Sequence, residues 1–181
     1  FDGVQIHSAH GYLVSSFHSP LTNQRTDRWG GTPEKRRTFL REVFLAMRQA
    51  VGPDYPILVK QNVADFHPDG LSRPEAVEIC AMLDELGIAA IELSGGIAET
   101  IPLAFQAKAL RESGETVFFA DECREIRQRV RCPLILTGGI RTQATAEALL
   151  AEGLCAGIGL CRPFIREPDL PRTWQEDPNA R

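Results

Sequence analysis

The chain is 181 residues long, 43% hydrophobic and 24% charged, the balance of an ordinary globular domain able to bury one sizeable core. Its formal charge of −4 argues against a nucleic acid or an anionic membrane surface as partner, and no apolar run reaches the roughly 20 residues of a membrane helix. Its five cysteines are scattered without a C-x-x-C pair, so neither a disulfide framework nor a structural zinc site is indicated, and a reducing cytoplasm fits them best.

The first predicted strand, Val4 to His7, starts almost at Phe1, which reads as the later part of a longer protein. It ends in His7-Ser8-Ala9-His10-Gly11-Tyr12. A polar stretch from Ser15 to Gly31 follows, expected to be a packed surface loop in which Arg25 and Asp27 pair. Thr32-Pro33 supplies an N-cap and a first helical position, and Phe39, Leu40, Val43, Phe44 and Met47 continue at helical spacing until Gly52-Pro53. Ile57 to Lys60 is the second strand, and Asp65, His67 and Asp69 fall in a Pro- and Gly-containing loop expected to face solvent.

Ser72-Arg73-Pro74-Glu75 has the spacing of a capping box, with Val77, Ile79, Cys80 and Leu83 on one helical face before Gly87. Ala90 to Leu93 is the third strand and ends in Ser94-Gly95-Gly96, read as lining a cofactor edge or substrate entrance. A helix from about Phe118 to Val130 buries Ile126 and Val130, Leu134 to Leu136 is the fourth strand, and a helix spans about Thr142 to Ala151. Gly157 to Leu160 is the fifth strand, and a short helix follows Glu167-Pro168.

Strands alternating with helices at this spacing call for parallel pairing with right-handed crossovers. No G-x-G-x-x-G opens a helix after the first strand, and polar residues gather at the C-terminal ends of every strand rather than at one switch point. The reading is an α/β fold in which residues 1–181 form the last five units, roughly four to eight, of one TIM (β/α)₈ barrel, with three units expected upstream of Phe1. Five units cannot close an eight-stranded cylinder.

Two imidazoles and a phenol at the mouth of a barrel strand can hold a substrate oxygen, stabilise negative charge developing on it and supply a proton. The H-x-x-H pair, His7 and His10, has two competing readings, part of a metal site lacking a third ligand or two satisfied structural histidines. Lys60 on an apolar strand needs a partner or a route to the rim. Thr137-Gly138-Gly139 and Gly159-Leu160-Cys161-Arg162 follow the fourth and fifth strands, where glycines let amides approach a phosphate and an arginine clamps it.

His7-Ser8-Ala9-His10-Gly11-Tyr12-Leu13, the run from Phe17-His18-Ser19-Pro20 to Gly31, Ile57-Leu58-Val59-Lys60, and Ala156 to Phe164 with Glu167-Pro168-Asp169-Leu170 closely resemble the Old Yellow Enzyme family of flavin-dependent ene-reductases. The likeness is weakest between Ala98 and Phe118. It implies tightly bound FMN, NAD(P)H as reductant and a small electrophilic substrate, with no metal. His7 and His10 would bind the electron-withdrawing group, Tyr12 would protonate the α carbon, and Lys60 would face the flavin N1 and O2 region. Gly138, Gly139, Cys161 and Arg162 would meet the FMN phosphate, Cys161 standing where the family more commonly has Gly. The resemblance admits a homo-oligomer, and a dienoyl-CoA reductase-type branch with an iron–sulfur cluster downstream. The rival from another class is a non-catalytic half barrel that holds no flavin by itself.

Overall fold

The structure, a computed structural model, describes residues 1–98 and 117–177. Five strands, β1 (Val4–Ser8), β2 (Ile57–Asn62), β3 (Ala90–Ser94), β4 (Leu134–Thr137) and β5 (Gly157–Gly159), pair in parallel and in sequence order. The helices among the described residues are α1 (Leu13–His18), α2 (Pro33–Arg36), α3 (Thr38–Val51), α4 (Arg73–Glu85), α5 (Ala120–Arg127), α6 (Gln143–Ala151), α7 (Arg162–Arg166) and α8 (Leu170–Glu176). Sequential parallel order with a helical crossover after each strand is an arc of a (β/α)₈ barrel, as the sequence predicts; an open doubly wound sheet reverses its strand order at a switch point.

The core lies between the arc and the helices on its outer side. Ile57 and Val59 of β2, Ile91 and Leu93 of β3 and Leu134 and Leu136 of β4 are all buried, and they meet Leu40 and Phe44 of α3, Ile79, Cys80 and Leu83 of α4, and Ile126 of α5. Each such side chain contributes about 1.5–3 kcal/mol on burial. The buried thiols Cys80, Cys123 and Cys132 are pushed upward by desolvation, Cys123 and Cys132 to about 12, which makes them inert core atoms; of the five cysteines only Cys161 is exposed.

Three expectations need correction. The stretch after the first strand is not all loop, because Leu13–His18 forms α1, a turn and a half whose Ser15 and His18 are buried. The predicted first helix is two pieces meeting at Arg37, whose ψ of −8° ends α2 before α3 begins. Strand β2 runs two residues past Lys60, because the polar Gln61 and Asn62 are buried and hydrogen-bonded; the Gln61 side-chain carbonyl accepts from the Ser8 hydroxyl at 2.9 Å.

From Ser19 to Gly31 the segment packs as expected for a structural loop. Asn23 Nδ2 donates to the carbonyls of Phe17 and Trp29, each at 2.7 Å, and Arg25 pairs with Asp27. A Cβ on Gly30 would stand 2.5 Å from the Arg25 carbonyl, so no side chain fits there. Arg36 fastens this loop to the helices: it is buried, donates to the His18 carbonyl at 2.8 Å and the Gly31 carbonyl at 3.1 Å, and is paired with Glu75. Glu75 also accepts from the Ser72 amide at 3.2 Å, so the capping box at the start of α4 is joined to the same network.

Candidate active site

Strand register decides which side chains share the inner face of the arc. His7 pairs with Lys60, Lys60 with Glu92 and Glu92 with Ile135, so an imidazole, an ammonium and a carboxylate stand side by side across three strands. Lys60 Nζ lies 2.6 Å from Glu92 Oε1, and Gln5 Nε2 donates to Glu92 Oε2 at 2.8 Å. Lys60 needed a partner, and Glu92 is that partner. The sequence carried a signal for it: an acid at an inward position of the apolar run Ala90-Ile91-Glu92-Leu93.

At the C-terminal end of β1 the backbone turns sharply, with φ of 63° at His10 and 79° at Gly11. This turn brings together three predicted residues that a regular strand would separate. The His7 and His10 ring centroids lie 5.9 Å apart, and those of His7 and Tyr12 lie 5.1 Å apart. The strained His10 is held from two sides: its amide donates to Asn62 Oδ1 at 3.1 Å, and its Nε2 is 3.0 Å from Ser94 Oγ. Ser94 therefore fixes an imidazole, a more specific role than lining an entrance.

Asn62 is fixed in turn, donating through Nδ2 to Asp65 Oδ1 at 3.1 Å and to the Gly96 carbonyl at 2.9 Å. Asp65 is fully buried, contrary to its expected place in a solvent-facing turn. Its other oxygen accepts from the Leu71 amide at 2.8 Å, which closes the 65–71 loop, while Asp69 stays exposed. Among the described residues no group of three or more His, Cys, Asp or Glu is arranged to hold a metal ion, so the metal reading of His7 and His10 has no third ligand there.

Both imidazoles are held below their ordinary pKa, first by desolvation and then by the Lys60 charge, with His7 adding to the effect on His10. They are neutral at pH 7, each offering one N–H donor and one acceptor nitrogen. Tyr12, the N-cap of α1, is exposed with its ring beside His7. Two neutral donors and a phenol on one side of a barrel mouth can polarise an oxygen and protonate a neighbouring carbon.

The remaining predicted residues gather in one cavity of about 990 Å³, lined by Lys60, Gly138, Gly139, Cys161 and Arg162 together with Glu92 and Arg141. Gly138 and Gly139, just past the end of β4, have φ of 87° and 82°, a left-handed turn that glycine adopts without a Cβ penalty. A Cβ at Gly159 would stand 2.5 Å from Thr137 Cγ2, so a larger residue there requires Thr137 to shift. The cavity thus joins a cationic, glycine-walled end to the Lys60–Glu92 pair, which adjoins His7 in register. Arg141 is a cavity residue that the sequence reading missed.

Compared with known proteins, residues 1–180 match the model of the NADH:flavin oxidoreductase / NADH oxidase family. The chain belongs to this family. Its members are oxidoreductases that use flavin and NADH. The chain is 36% identical over 176 residues to an NADH oxidase of Thermoanaerobacter brockii, covering 97% of this chain and 26% of that protein. Among solved structures it superposes with a TM-score of 0.87 and 29% identity on a 2-naphthoyl-CoA reductase in complex with 2-naphthoyl-CoA, over 97% of this chain and 26% of that one. It superposes with a TM-score of 0.75 and 28% identity on the Old Yellow Enzyme homologue from Zymomonas mobilis, over 100% of this chain and 48% of that one. The chain therefore spans about a quarter to a half of the length of these proteins. Residues 99–116, which make up most of the segment between Ala98 and Phe118 read above as weakest in likeness, lie outside the described residues. No helix among the described residues is long and apolar enough to cross a membrane.

Proposed function

We propose that the protein carrying this chain is an FMN-dependent, NADH- or NADPH-consuming reductase of activated C=C bonds, in which residues 1–181 are the C-terminal part of one FMN-binding barrel. The observation that carries the reading is the meeting of His7, His10 and Tyr12 at one strand end, beside a cavity walled by Lys60, Gly138, Gly139, Cys161 and Arg162. These residues suit the cofactor. Positive-φ glycines and an arginine match a phosphate in geometry and charge, and an ammonium on the inner face matches an anionic ring.

Bound flavin supplies the hydride chemistry. The protein's residues do the rest: His7 and His10 donate to the carbonyl or nitro oxygen of the substrate, and these bonds strengthen as the oxygen gains negative charge. Tyr12 holds the proton destined for the α carbon. Cys161 places an exposed side chain in the wall assigned to the phosphate. An acyl-CoA-reducing member of the family is the second reading, favoured by the superposition on 2-naphthoyl-CoA reductase. Side-by-side turnover of a cyclic enone and a dienoyl-CoA separates the two.

The test is Tyr12→Phe in the protein carrying the chain. Flavin reduction by NAD(P)H is expected to persist while enone turnover falls by about 100-fold, the low end of the usual contribution of a positioned proton donor. Unchanged turnover removes Tyr12 as the donor.

A further inference from the structure

We infer that Glu92 is a positioning residue for the flavin site, which holds Lys60 against the inner wall and partly cancels its charge, so that the pair rather than the lysine alone sets the cofactor's reduction potential. The inference deepens the proposed function and rests on its placement of Lys60 beside the flavin.

The geometry is specific. Lys60 and Glu92 are register partners on adjacent parallel strands, their charged atoms are 2.6 Å apart, and both line the cavity that contains Gly138, Gly139 and Arg162. Gln5 of β1 binds the second carboxylate oxygen at 2.8 Å, so both oxygens of Glu92 are held from the β1–β2 side of the arc and the side chain cannot rotate away without losing two bonds. Their side chains are only 25% and 17% exposed. Screening by water is therefore weak, and the pair acts on neighbouring groups as a dipole whose two ends nearly compensate.

The two histidines already register both ends, Lys60 lowering and Glu92 raising the pKa of each. Any anion placed in the cavity feels the same two opposed charges. A lysine without its carboxylate would favour an anionic reduced ring more strongly, and a carboxylate without its lysine would disfavour it. Glu92→Gln keeps the length of the side chain and one acceptor oxygen for Lys60, turns the second oxygen into an amide donor that the Gln5 side-chain carbonyl can meet if its amide flips, and removes the charge.

The experiment is a redox titration of bound flavin in the protein carrying the chain, with Glu92→Gln, Lys60→Met and the double variant beside it. Expected are a positive shift of the potential for Glu92→Gln, a negative shift for Lys60→Met, and a double variant lying above Lys60→Met. A potential in Glu92→Gln equal to or below that of the parent overturns the inference. The comparison of Lys60→Met with the double variant decides by itself if Glu92→Gln does not fold, since equal potentials in those two overturn it as well. A parent protein that retains no flavin refutes the proposed function instead, an outcome visible before any titration begins.

Discussion

Replacing His10 with Ala in the protein carrying this chain is expected to lower kcat/KM for an enone by about 100-fold or more, the effect of removing one oxyanion donor, and a loss under about tenfold would contradict the assignment. The magnitude follows from how the imidazole is held. His10 sits at φ 63°, its amide fixed by Asn62 and its ring by Ser94, in a network that continues through Asp65 to the Leu71 amide. Such a donor is already aligned when charge develops on the substrate oxygen, so little reorganisation is needed in the transition state. Desolvation and Lys60 keep the ring neutral at pH 7. Flavin absorbance and reduction by NAD(P)H should be unchanged, since His10 is not among the residues lining the cavity assigned to the cofactor. Steady-state kinetics with the flavin content measured in parallel separates loss of the donor from loss of the cofactor.

Acid should destabilise the fold through His18, with an onset well above the carboxylate range. His18 is fully buried, its Nδ1 lies 3.4 Å from Ser8 Oγ, and its Nε2 has no hydrogen-bond partner. Since the Ser8 hydroxyl donates to Gln61, it is free to accept from Nδ1–H, and a second proton would have to sit on the unpartnered Nε2. Arg36, bonded to the His18 carbonyl, adds a like charge nearby. Burial first and Arg36 second lower the pKa from 6.5 to about 3. Below pH 6.5 the unfolded chain takes up a proton that the folded chain refuses, so stability falls as pH drops and levels off near pH 3. At about 1.4 kcal/mol per unit, the full loss is on the order of 4–5 kcal/mol. His7 and His10 act in the same direction. Histidine NMR shifts check this directly: the His18 imidazole should not titrate between pH 7 and 4.5, and a midpoint near 6.5 would contradict its burial as a neutral ring.

The strand order and the grouping of site residues were legible because they depend on patterns the sequence displays openly. β-branched runs separated by helical spacing imply a parallel arc, and inward positions at a period of two put His7 and Lys60 on one face. Three features were hidden for physical reasons. Gln61, Asn62 and Asp65 look like surface residues because their polarity is visible, whereas the partners that allow their burial are not: Ser8 comes from β1, Gly96 from beyond β3, and the Leu71 amide from the far end of the loop that Asp65 begins. Glu92 is 32 residues from Lys60, and only the β2–β3 register makes them neighbours. Helix α1 is too short for periodicity to reveal, and it is held by the packing of His18 and Ser15 rather than by its own propensity.

The central claim is that these five units build the greater part of a flavin site, and the visible absorbance spectrum of the protein carrying them, desalted after incubation with FMN, tests it most directly. Flavin bands are expected that survive desalting and weaken when Arg162 is replaced by Ala. A colourless protein from which all FMN passes through the column would contradict it.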